Sequence, residues 1–141
     1  MRQVYSRNMR SHRLLAPFLP LALGVSGCLV AAAGAGAGGG IYLTQRGVES
    51  VVPVGVERAA SATDQAFTEL KIHRTKVQTE QAEGKEKREV EGTGDDRDIS
   101  VTLSFENTSS TRVQVVVKKT TVTWDKDFAR TVMDHIVAHS R

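Results

Sequence analysis

The sequence predicts an α+β domain, a single antiparallel sheet of four to five strands with two helices packed on one face, in the order β-α-β-β-β-β-α. Three observations carry this. Ile99-Ser100-Val101-Thr102-Leu103-Ser104-Phe105 alternates apolar and hydroxyl residues, the two-residue period of a strand with one buried face. Val56, Ala60, Thr63, Phe67 and Leu70 recur at steps of four and three, the stripe of an amphipathic helix. Phe128, Val132, Met133, Ile136 and Val137 form a second such stripe near the C-terminus.

The elements follow in order. Val48 to Val54 is rich in β-branched residues and reads as a strand, with Pro53 marking an edge or a strand end and Gly55 breaking it. The first helix covers Val56 to Leu70, with Glu57 in its first turn and Lys71 at its end, both suited to the helix dipole. Ile72 to Gln81 is a polar strand, and Gln81-Ala82-Glu83-Gly84 a turn. Lys85 to Thr93 is a weak strand whose only aliphatic residue is Val90, so its dense charges read as a solvated face; Gly92 and Gly94-Asp95-Asp96 close it. Asn107-Thr108-Ser109-Ser110 is turn chemistry, and Arg112 to Val122 returns with Val113, Val115 and Val117 on one face. Asp125 is placed to cap the last helix. Phe67, Leu103, Phe105 and Val132 are expected inside a small, largely aliphatic core of modest stability.

The formal charge of +3 invites a nucleic-acid reading that its distribution removes. Residues 1–27 hold Arg2, Arg7, Arg10 and Arg13 and no acid; without them 15 basic and 16 acidic residues remain, a net charge of −1. No strong field is left to attract a phosphate backbone, so no nucleic-acid partner is expected. The single cysteine, Cys28, permits neither an intramolecular disulfide nor a thiolate cluster for metal.

The arginines precede Leu14-Leu15-Ala16-Pro17-Phe18-Leu19-Pro20-Leu21-Ala22-Leu23, the layout of a secretory signal. Val25-Ser26-Gly27-Cys28 behind it resembles the lipobox of bacterial lipoproteins. That resemblance implies cleavage between Gly27 and Cys28 and acylation of the Cys28 thiol. It divides the chain into a signal peptide (1–27), a lipidated, Ala/Gly-rich tether (28–47) and an envelope domain (48–141). Leu29, where Asp would resemble an inner-membrane retention signal, implies the outer membrane with the domain facing the periplasm, or the cell membrane in a Gram-positive organism. The rival is an uncleaved span, since residues 14–45 carry no charge and about 20 suffice to cross a bilayer. Pro17, Pro20 and the glycines between 34 and 40 oppose it. Gly34-x-Gly36-x-x-Gly39 matches a dinucleotide fingerprint formally, without the preceding strand it needs.

Lipobox, Ala/Gly run, Tyr42, Gly47 and the order strand, helix, hairpins, helix together resemble a family of small bacterial lipoproteins catalogued as domain of unknown function 3568. The resemblance implies an envelope domain and transfers no catalytic residue.

Little in the domain suggests chemistry. His135 and His139 lie at i and i+4, a spacing that can place two imidazoles on one metal, but the Glu of the metalloprotease pattern is replaced by Ile136 and Asp134 points about 100° away. They read as cations at a helix end, and no metal or other cofactor is expected. Asp95-Asp96-Arg97-Asp98 lacks the spacing of a calcium loop and reads as a solvated turn. Trp124 reads as core or staple packing. The expected function is non-enzymatic: a lipid-anchored structural or protein-interaction module with an envelope protein partner. The alternative is a binder of a small apolar or lipid-like ligand between sheet and helices, in space left by Ala59, Ala60 and Ala66.

Overall fold

The computed structural model describes residues 40–141. The signal segment, Gly27, Cys28 and the glycine run up to Gly39 lie outside the described residues. Two helices and seven strands follow: β1 Tyr42–Leu43, β2 Gly47–Val52, α1 Val56–Glu69, β3 His73–Ala82, β4 Lys85–Gly94, β5 Arg97–Asn107, β6 Ser110–Thr120, β7 Thr123–Trp124 and α2 Lys126–His139. All strand pairs are antiparallel, in the order β1-β2-β6-β5-β4-β3, with β7 added to β6. The α+β class and the single antiparallel sheet are as the sequence predicts.

The strand count is not: seven strands replace the expected four to five. The two extra strands, β1 and β7, are two residues each, too short to show any period. Tyr42–Leu43, in the stretch expected to be tether, pairs with Glu49 and Val48. Thr123–Trp124 folds back onto the end of β6.

Alternation decides which face is buried. On β5 and β6, Ile99, Val101, Leu103, Val113, Val115 and Val117 are at most 2% exposed, while the residues between them face the other way. α1 and α2 cover that apolar face and pack on each other, α2 over β2 and β6, α1 over β4 and β5. Val56, Ala60, Thr63 and Phe67 of the α1 stripe are buried, as are Val132, Met133 and Ile136 of α2. Phe67, Leu103 and Val132 are core residues as expected. Phe105 is only half-buried: it stands in register opposite Thr111 near the end of β5, just before the strand's irregularity, and packs against the edge of the core.

Turn chemistry sets the hairpins. Glu83 and Gly84, and then Asp95 and Asp96, have positive φ, as two-residue hairpin loops of the type I′ kind require. Asn107 Oδ1 accepts from Ser109 N at 2.9 Å in the third turn. α1 ends where Lys71 enters the left-handed region at φ 56° and Ile72 N donates back to Phe67 O at 2.8 Å. Lys71 therefore terminates the helix rather than extending its last turn.

Not every charge of β4 is solvated. Arg88 faces the helix layer opposite Leu103, with Nη2 at 2.9 Å from both Glu57 on α1 and Glu86. Burial works to lower its pKa, but the two carboxylates outweigh it and raise the value. Its Nε is buried and has no hydrogen-bond partner among the described residues.

Gly92 lets Phe67 and Ile72 close over β4: a Cβ there would lie 2.7 Å from Ile72 Cγ2 and 2.8 Å from Phe67 Cε2. Gly92→Ala overpacks this site and is expected to lower the unfolding free energy by about 1–3 kcal/mol, read from urea denaturation. A change within about 0.5 kcal/mol would show that the helix layer does not press on β4 there.

Candidate functional site

The face of the sheet that no helix covers among the described residues, the helix-free face, carries the larger of the two candidate sites. Alternation that buries Val101 and Val115 turns Ser100, Thr102, Gln114 and Val116 outward, where they meet Glu89 and Glu91 of β4. Together with Arg46, Asp98, Lys118 and Trp124 they line a groove of about 640 Å³. Its floor is ordered by side-chain contacts: Ser100 Oγ donates to Glu89 Oε1 at 2.9 Å, and Lys76 lies 3.8 Å from Glu91. The groove thus presents both charge signs and neutral donors and acceptors.

Trp124 stands at one end of this groove rather than in the core. Arg46 lies 5.6 Å and Lys118 5.4 Å from its ring centroid, within cation–π range. The ring is placed there by β7, the two-residue strand that sequence periodicity could not reveal, and by the β1–β2 turn that carries Arg46.

Of the small residues on α1, Ala59 and Ala66 have no exposed surface and Ala60 is 7% exposed, and all three belong to the buried core cluster. The Asp95–Asp98 stretch also has a structural use. Arg97 Nε binds Asp125 Oδ2 at 2.9 Å and its guanidinium lies 4.7 Å from the Phe128 ring, joining the β4–β5 turn to the start of α2.

The second site lies at the ends of the helices. Glu69, the last residue of α1, reaches both histidines of α2: His135 Nδ1 is 2.7 Å from its Oε2 and His139 Nε2 is 3.0 Å from its Oε1. The three ligand atoms lie within 4.8 Å of one another. Hydrogen bonds from His139 and then His135 hold the Glu69 carboxyl below its usual pKa. The i, i+4 histidine pair is visible in the sequence; Glu69, 66 residues before His135, is not.

The family described as Protein of unknown function (DUF3568) matches residues 13–139. The chain belongs to this family. The match takes in the apolar segment and the cysteine as well as the whole sheet-and-helix domain. No curated protein matches the chain.

Asp125 ties the groove-bearing sheet to α2 and gives a direct test of the local electrostatics. Its Oδ1 accepts from Phe128 N at 2.9 Å, which caps the helix. That backbone hydrogen bond, with help from Arg97 and against the effect of burial, holds the Asp125 pKa below its usual value. A depressed folded value stabilises at neutral pH, and the stabilisation is lost as pH falls through the carboxylate range. Asp125→Ala should cost about 1–2 kcal/mol at pH 7 in thermal or urea unfolding, with the difference from the parent shrinking below about pH 4. A cost that stays constant with pH would contradict an ionised cap.

Proposed function

We propose that this protein is a lipid-anchored, non-enzymatic module of the bacterial envelope, and that the helix-free face of its sheet receives an envelope protein partner. The groove on that face carries the reading: about 640 Å³ of space on the side that no helix covers among the described residues. Its volume falls in the range of ligand sites, roughly 300–1,000 Å³. Its lining favours a polypeptide over an apolar or lipid-like ligand. Glu89, Asp98, Ser100, Thr102 and Gln114 offer hydrogen bonds at a strand's spacing, and Trp124 with Arg46 supplies the residue types that dominate binding hot spots.

The anchor belongs to the same reading. Among the described residues no helix is long and apolar enough to cross a membrane. Val25-Ser26-Gly27-Cys28 behind the apolar segment supports acylation of Cys28, with the outer membrane and a periplasm-facing domain as the destination. Two or three acyl chains hold a protein at a bilayer stably where one does not. The glycine-rich composition before Gly40 suits a tether between that surface and the domain.

Cys28→Ser should move the protein from the membrane fraction to the soluble fraction, read by fractionation and mass spectrometry of the mature N-terminus. Retention in the membrane with an intact Met1 would favour the uncleaved span. Photo-crosslinking residues at Thr102 and Gln114 should capture an envelope protein in intact cells, while one at the exposed helix position Arg130 should not. Equal yields from both faces would remove the sheet face as the recognition surface.

A further inference from the structure

We propose that Glu69, His135 and His139 form a binding site for one divalent zinc-like cation, joining the two helices at their C-terminal ends. The donor set is one carboxylate and two imidazoles, which suits zinc and its late first-row neighbours rather than magnesium or calcium. Each residue offers one ligand atom to the cluster, the two histidines meeting different oxygens of the Glu69 carboxylate. Glu69 oxygens lie 2.7 Å from His135 Nδ1 and 3.0 Å from His139 Nε2, with all three ligand atoms within 4.8 Å. Tetrahedral zinc with bonds of about 2.0–2.1 Å spaces its ligand atoms by about 3.3 Å. Entry of the ion therefore asks the two Glu–His distances to open by about 0.3–0.6 Å and the widest pair of ligand atoms, up to 4.8 Å apart, to close by about 1.5 Å, which rotation of these partly exposed side chains supplies.

Position in the fold adds an independent argument. Glu69 ends α1 and His139 ends α2, so both contributing residues sit where helix carbonyls carry negative partial charge. An anionic Glu69 is the wrong charge for its helix end, and the last turn of α1 holds no basic residue to offset it. A bound dication corrects both. The backbone is braced locally, since Ile136 and Met133 beside the histidines are fully buried and Ser140 Oγ donates to Ile136 O at 2.7 Å. The side chains themselves are partly exposed, which leaves an approach for the ion and an open coordination position beyond the three protein ligands.

Zinc titration of the full chain, followed calorimetrically and by thermal unfolding, tests this. We expect one ion per chain from this site at micromolar concentration and a rise in Tm on adding zinc, with a millimolar excess of magnesium giving neither. His135→Ala/His139→Ala should lose that ion and the Tm rise; Glu69→Gln should weaken binding at least tenfold. His12, His73 and Cys28 remain in every variant, so the difference between proteins is the readout. Zinc binding that is absent, or equal in the parent and both variants, overturns the site. Equal circular dichroism of the zinc-free proteins establishes that the variants are folded; if the double variant is not, the Glu69→Gln comparison decides alone.

Discussion

One constraint organises the molecule: β5 and β6 bury a single face. Ile99, Val101 and Leu103 on one strand and Val113, Val115 and Val117 on the other all point toward the helices. A strand's side chains alternate with period two, so slipping the pairing by one residue would place this whole set in water. The registers Val101↔Val115 and Leu103↔Val113 are therefore fixed by hydrophobic burial as well as by hydrogen bonds. Two helices are then needed to cover the apolar face, and the chain supplies one before and one after the four-stranded meander.

Both candidate sites follow from that arrangement. Helices confined to one side leave the other as a polar concavity, and strand alternation decides that Ser100, Thr102 and Gln114 form its floor. Pairing the helices on the same face brings the last residue of α1 against the last two turns of α2, which is how Glu69 meets His135 and His139. The connections at the rim are mostly exposed ion pairs such as Arg112 with Glu49 and Glu106, each worth little to stability. Arg97 does more, because it touches both a helix cap and the Phe128 ring.

What the sequence revealed divides along the same physical line. Local periodicity exposes anything that spans enough residues to show a period, so α1, α2 and the β5–β6 hairpin are legible down to their buried faces. Even the charged β4 can be read, through Val90 and its flanking turns. Two-residue strands carry no period, and with them went the placement of Trp124, which stands by Arg46 and Lys118 on the open face rather than in the core. Phe105 looks like a core residue by its alternation, yet its place near the end of β5 leaves the ring at the rim, packed against the core but half-buried. Glu69 is the sharpest case. The i, i+4 histidines are written in the sequence, but their third partner depends on how two helices cross, which only the folded chain fixes.

The one-sided burial on which all of this rests can be measured at two neighbouring positions of β5. Leu103 is fully buried beneath the helices, and Thr102 lies on the opposite face. The account predicts that Leu103→Ala lowers the unfolding free energy by about 2–5 kcal/mol, while Thr102→Ala changes it by less than about 1 kcal/mol. Comparable losses at the two positions would mean that both faces of the sheet are packed, and the helix-free face described above would not exist.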